Sequence, residues 1–245
     1  MTGGATATGN GTSPAEFITG NADFIAGFSS RGPTPFTFLI KPDLMAPGVN
    51  VASSVFGQKF AFFQGTSMAT PHLAGSAALL LDLHPTWTPA DVKSALVNTA
   101  KRPVGNHLNG AALTNPQDRG GGRVDLAAAM ATPLTINPAS ASFGFWGGNK
   151  NVQGSMTLSI KNVSGAVQTC TLDVTGPAIV DDTNPDDMFT VAVGATTNLT
   201  LQLSAGQAAQ TGSGDYFGDV EINCGTGMPL LSVPWWVRID REGKP

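Results

Sequence analysis

The stretch QGTSMATPH, from Gln64 to His72, sets a serine hydroxyl between a Gly-Thr pair and the opening of an alanine-rich run. A serine at a helix start can do one of two jobs. It can cap the helix, accepting a hydrogen bond from an unpaired amide of the first turn. Alternatively it can attack a carbonyl, where the same unpaired amides and the positive end of the helix dipole favour the oxyanion that develops in acyl transfer. Gly65 leaves room for a substrate backbone, and Ala69 crowds nothing. Gly-Thr-Ser alone fits the cap better, because Ser and Thr fill that position so often. A nucleophilic serine also needs a base to take its proton. All three histidines, His72, His84 and His107, follow Ser67 in the chain. Five helical residues at about 100° each carry His72 roughly 140° around the axis from Ser67, so it points away and reads as a packed or hydrogen-bonded helix histidine. His84 stands beside Pro85 at a helix end, and His107 lies in the polar NHLNG turn. Asp23 and Asp43 precede the serine and read as solvated loop or turn-capping residues.

The longer run GTSMATPHLAG changes the balance. It resembles the serine motif of the subtilisin-like serine peptidases, the subtilases, which takes the form G-T-S-M-A-x-P-H-x-A-G, and it matches at every fixed position. FSSRGP, KPDLMAPGVNV, HPTWTPADVKSALVNTA and GGGRVDL resemble further blocks of that catalytic domain, so the likeness covers about Asp23 to Met130. The resemblance implies that Ser67 is the nucleophile, that its own N–H donates to the oxyanion, and that Gly65 and Thr66 line the substrate site beside the scissile bond. It implies a protein or peptide substrate and a secreted location. It also implies a gap. A subtilase carries its Asp and His ahead of the serine, and neither Asp23 nor Asp43 sits in a D-S-G or D-T-G setting. Asn10, in TGNGTSP, has only a faint likeness to the family's second oxyanion donor and stays unassigned. The expectation is a serine endopeptidase whose acid-base half lies on sequence absent here, so that the chain alone is inactive and the missing N-terminal half of the catalytic domain is its partner. The alternative is a non-catalytic remnant whose C-terminal part binds protein or carbohydrate.

These residues need elements to hold them. DFIAGF reads as a buried strand followed by the turn SSRGPTP, and KPDLMAPGVNVASSV as a bend at Pro42, Pro47 and Gly48 leading into extended chain. Ser67 falls one or two residues ahead of a helix whose first turn tolerates Pro71. Leu73 to Leu83 is apolar on nearly every side, the pattern of a helix buried all round. Thr88-Pro89-Ala90-Asp91 supplies a cap, an N1 proline and a first-turn acid for a second helix over Pro89 to Ala100, and a short helix begins near Val124. With the resemblance, residues 23–131 are expected to be α/β, a partial subtilisin-like parallel sheet with helices. Residues 1–22, rich in Gly, Thr and Ala, read as a flexible lead-in without the basic start and apolar run of a secretory signal.

From residue 132 to 245 the texture shifts to short alternating runs such as SMTLSIKNV, TNLTLQLSAG and LSVPWWVRI, which predict an antiparallel β-sandwich resembling the fibronectin type III-like domains of larger subtilases. Cys170 and Cys224, the only cysteines, fall in strands of this region and are open to two readings, a disulfide or two buried thiols. Trp235 and Trp236 fit one core and one edge position better than a stacking surface for sugars or peptide. Asp181-Asp182 and Asp186-Asp187 offer calcium-compatible oxygens without a recognisable binding loop, and an acidic solvated turn is the simpler reading; no cofactor or metal is expected. Composition narrows the partners further. With 41% hydrophobic and 12% charged residues the chain suits a packed core, the net charge of −4 leaves no basic stripe for nucleic acid, and no apolar run is long enough for a membrane span.

Overall fold

The computed structural model describes residues 3–9, 13–19, 22–57, 59–148, 150–184, 186–206 and 211–242. Strands β1 (Gly3–Gly9) and β2 (Ser13–Thr19) pair as an antiparallel hairpin, where composition predicts an irregular lead-in. Threonine alternating with alanine in GGATATG is compatible with that extended pairing. Asn10 lies outside the described residues.

The next region runs through β3 (Phe24–Ile25), β4 (Val51–Val55), β5 (Lys59–Phe63), α1 (Thr66–Leu83), α2 (Pro89–Asn98), β6 (Gly105–Asn106), α3 (Pro116–Arg119) and α4 (Leu126–Met130). Of the expected parallel sheet, the described residues contain only the two-residue β3–β6 ladder and an isolated parallel bridge between Met45 and Arg123. The physical reason is supply: each parallel neighbour needs its own strand and crossover, and β4 and β5 are spent on each other as an antiparallel hairpin.

Helix α2 forms where its signals place it. Thr88 Oγ1 accepts from Asp91 N while the Asp91 carboxylate accepts from Thr88 N, a reciprocal capping box, with Pro89 at the first helical position. The helix stops at Asn98 rather than at Ala100. Val92, Ala95 and Leu96 enter a core with Leu80, Trp87 and Ala129. Helix α1 departs further from expectation. It starts at Thr66, two or three residues earlier than expected, and is not buried all round: Leu79, Leu81 and Leu83 are exposed, and so is the face that carries Ala74, Gly75 and Ala78.

After α4 the chain is all strand: β7 (Leu134–Asn137), β8 (Ala141–Gly147), β9 (Val152–Asn162), β10 (Gln168–Val174), β11 (Val180–Asp182), β12 (Met188–Val191), β13 (Thr196–Ala205), β14 (Gly214–Asn223) and β15 (Leu231–Asp240). They form a five-stranded sheet in the order β12-β10-β14-β15-β8 and a four-stranded sheet in the order β11-β13-β9-β7. The two sheets share one apolar core in which Leu199, Leu201 and Leu203 of β13 meet Val233, Trp235 and Val237 of β15. Period-2 alternation is clean on β13, whose other side faces solvent. One pairing departs from the expected antiparallel pattern: β8 runs parallel to β15, because the chain leaves the four-stranded sheet after β7 and joins the edge of the other sheet. A disulfide joins Cys170 on β10 to Cys224, the residue just after the neighbouring strand β14, so the thiol alternative does not apply.

Strand β15 is buried on both faces. Its inner face lines the core, and its outer face, with those of β14 and β8, is covered by residues from the first half of the chain. There Asn98 Nδ2 donates to the carbonyls of Ala139 (2.8 Å) and Ser232 (3.0 Å), Ser94 Oγ donates to Asn98 Oδ1 (2.9 Å), and Ile136 N donates to Ser94 Oγ (2.6 Å). Helix α2 is therefore bonded directly into both sheets. Trp236 is buried on this outer face rather than standing at an edge, while Trp235 fills the core and donates from Nε1 to Thr175 O (3.0 Å).

Candidate active site

Ser67 sits in the first turn of α1, one residue inside the helix rather than ahead of it. The N-cap is Gly65, with no side-chain cap hydrogen bond, so the capping role open to Ser67 in the sequence is not the one it has. Among the described residues neither its hydroxyl nor its N–H has a hydrogen-bond partner, and the side chain is exposed. An unpaired N–H at the positive end of an 18-residue helix is what a developing oxyanion would use. Pro71 contributes to this openness. It lacks the N–H that would bond the Ser67 carbonyl one turn back, and Thr70 Oγ1, His72 Nδ1 and Ser76 Oγ reinforce the same stretch by donating to the carbonyls of Thr66 (3.0 Å), Met68 (2.9 Å) and His72 (2.8 Å).

Gly65 holds the turn in place. Its φ of 153° and ψ of 161° lie where side chains are strained. Its N–H donates to Gly48 O (2.8 Å), and its carbonyl accepts from Met68 N (3.0 Å) and Ala69 N (3.3 Å). Gly48 is a residue that the sequence reading passed over as part of a bend. A Cβ there would come within 2.8 Å of Gly65 O, so the chain before β4 presses directly on the turn that presents Ser67. The Pro47-Gly48 dipeptide was the available signal, but it announces a turn without naming what the turn supports.

Gly65 and Thr66 border a cavity of about 850 Å³, whose far side is formed by Phe24, Ile25, Leu44 and Met45. Ser67 is not on its wall. Asp23 and Asp43 are ion-paired rather than solvated. Asp23 pairs with Arg123, and Asp43 with Lys41 and, at 2.7 Å, Lys93. Burial works to raise the Asp43 carboxyl, but hydrogen bonds and charge from the two lysines hold it below its ordinary value. The histidines do not converge on Ser67. His72 is tied to its own helix, His84 stacks on Trp87 with ring centroids 3.9 Å apart, and His107 packs over Gly27, where a Cβ would meet its Nε2 at 2.8 Å. In the acidic turn after β11, Asp182 Oδ1 accepts from Asn184 N (2.7 Å), and burial together with Asp181 and Asp187 raises the Asp182 carboxyl. Among the described residues no three carboxylate, imidazole or thiol groups gather where they could hold a metal ion.

A second polar centre lies between the two halves of the chain and was not visible in sequence. Asp219 of β14 accepts from Arg102 (2.6 Å) and Arg119 (2.9 Å) on one carboxylate oxygen and from Ser232 Oγ (3.1 Å) on the other, with Glu221 at 3.5 Å from Arg102. Burial pushes the Arg119 guanidinium below its usual pKa, and the charge of Asp219 counters that. Arg119 precedes Asp219 by 100 positions in the chain and Arg102 by more, and no periodicity links them.

The chain is 30% identical over 221 residues to the minor extracellular protease Vpr of Bacillus subtilis, covering 86% of this chain and 26% of that protein. It is 40% identical over 121 residues to the subtilisin-like protease SBT1.3 of Arabidopsis thaliana and 43% over 106 residues to SBT4.14 of the same plant, covering 41% and 38% of this chain and 15% and 14% of theirs. The chain thus spans about a quarter or less of the lengths of these relatives. The model of the Subtilase family (Peptidase_S8) matches residues 4–134, more than half of the chain and the whole of the region around Ser67, and the protein belongs to that family.

Proposed function

We propose that this chain carries the nucleophile half of a serine endopeptidase, with Ser67 forming the acyl-enzyme and its own N–H stabilising the oxyanion. Gly65 and Thr66 lie beside the scissile peptide bond of a protein or peptide substrate. The observation that carries the reading is the exposed, unpaired Ser67 hydroxyl and amide in the first turn of α1, within a motif intact at every fixed position. In the reaction a base takes the Ser67 proton as Oγ attacks the carbonyl. The tetrahedral oxyanion forms against the helix N-terminus, and collapse expels the amine, which leaves with a proton returned by the base. No histidine is placed to be that base among the described residues, so we assign it to sequence beyond this chain. Alone, the chain then turns over more slowly by about the 10⁶-fold factor known for subtilisin when its base is removed. The two-sheet region is read as a fibronectin type III-like sandwich, and the whole protein as secreted, in keeping with the extracellular protease among its relatives.

The test is reconstitution. The chain is produced together with an upstream subtilase segment that carries an aspartate in D-[ST]-G and a histidine in H-G-[ST], then treated with a fluorophosphonate probe. Ser67 is expected to label in the pair, to label far more slowly in the chain alone, and not at all in Ser67→Ala. Labelling at another residue, or none in the assembled pair, would exclude Ser67 as the nucleophile.

A further inference from the structure

We propose that Asp219, on the two-sheet region, is a positioning residue for Ser67; this rests on the reading of Ser67 as nucleophile. The connection is a set of short contacts joined by short stretches of backbone. Asp219 is itself held by reciprocal bonds with Thr175, whose Oγ1 accepts from Asp219 N (3.0 Å) and whose N–H donates to Asp219 O (2.8 Å). Its carboxylate anchors the buried Arg119 guanidinium, which donates from Nη1 to Gly120 O (2.8 Å) and from Nη2 to Thr114 O (3.2 Å). Arg119 is thereby fixed at the head of the Gly120–Gly122 turn.

That turn has no slack. Gly120 and Gly122 have φ of 58° and 131°, and a Cβ on Gly120 would sit 2.3 Å from Asp43 O. Gly121 N donates to Asp43 O (2.9 Å), Met45 N to Gly122 O (2.8 Å) and Val124 N to Met45 O (2.7 Å). The segment from Asp43 to Met45 is thus bonded to the turn along its length, and Pro47 then delivers Gly48 to its contact with Gly65. A shift at Asp219 has a route to the Ser67 amide made of backbone hydrogen bonds, the Met45–Gly48 stretch of backbone and glycine close approaches, with no flexible side chain after Arg119. Two cations share one carboxylate at the start of this route, so its loss leaves Arg102 and Arg119 facing each other across a largely buried site, with Glu221 paired to Arg102 alone.

The experiment is hydrogen–deuterium exchange, read peptide by peptide by mass spectrometry on the dilute full chain, for Asp219→Asn, Asp219→Glu and Arg102→Gln. Asp219→Asn is expected to speed exchange by about tenfold or more in peptides covering residues 43–48 and 64–69. Peptides from β9 and β13 should be unchanged, and Asp219→Glu should restore protection. If Asp219→Asn does not fold, Arg102→Gln removes only the more exposed partner and is expected to give a smaller rise at the same two places. Loosening confined to residues 114–122, or a uniform rise that includes β9 and β13, would overturn the proposal. In the reconstituted pair, Asp219→Asn is expected to slow probe reaction at Ser67 without weakening probe binding. Failure of Ser67 to label in the unmutated pair, with the exchange pattern intact, would instead remove the nucleophile reading.

Discussion

Asp91 shows how much one side chain can be asked to do. It is nine-tenths buried, closes the capping box of α2, accepts from Thr135 Oγ1 (2.7 Å) on β7, and pairs with Lys161 Nζ (3.2 Å) on β9. Burial by itself would raise its pKa, but these donors together outweigh burial and hold the carboxyl at about 2, against an ordinary 3.8. A depressed carboxyl stabilises the fold above its unfolded pKa, and that contribution is lost as pH falls through the folded value. Asp91 should therefore add about 2 kcal/mol above pH ~4 that disappears towards pH ~2. Denaturant titrations of the wild type and Asp91→Asn across this window should show the wild type losing about that much more; parallel curves would mean that the carboxylate contributes nothing through its charge. The capping half of this role was readable from Thr88 to Asp91. The links to Thr135 and Lys161 were not, because a surface-type acid on a helix carries no mark of a strand that arrives later in the chain.

At the scale of elements, α2 and the disulfide illustrate opposite degrees of legibility. The start of α2 is written in four consecutive residues, since capping is local chemistry. Its docking face is not, because Ser94 and Asn98 are polar residues one turn apart, and they bond Ile136 and Ser232 on strands 42 and 134 positions away. Cys170 and Cys224 could only be narrowed to two states until β10 and β14 were seen to be neighbours. Their bond closes a separation of 54 residues, which corresponds to about 4 kcal/mol of loop-closure entropy at most. Replacing both cysteines by serine should lower the denaturation midpoint of the two-sheet region accordingly, and an unchanged midpoint would show that the unfolded chain is already constrained there.

Across the whole molecule the contrast between halves decides behaviour. The two sheets bury their apolar faces against each other, and the first half covers the outer face of β14 and β15. The first half does not close its own core. Phe56, Phe60 and Phe62 on the β4–β5 hairpin are 73% exposed or more, and Leu79, Leu81 and Leu83 leave α1 open on one side. A two-stranded hairpin with an unpartnered aromatic face is marginal in water and sticky. The isolated chain is expected to self-associate, and Phe60→Ser/Phe62→Ser to raise the monomer fraction on size exclusion while reducing assembly with an upstream segment. A monomeric, cooperatively melting wild-type chain would count against this.

Residues 65 to 75 were enough, from sequence alone, to identify the serine motif, because groups at a helix start need particular neighbours close by and those neighbours are consecutive. The absence of a histidine ahead of Ser67 was equally plain. Tertiary structure alone decided that Ser67 lies inside the first turn rather than at its cap, that Gly48 braces Gly65, that Trp236 is covered, and that Asp219 gathers two arginines from the other half of the molecule. Each of these depends on contacts between segments far apart in the chain, where the position of one backbone against another, rather than local preference, sets the outcome.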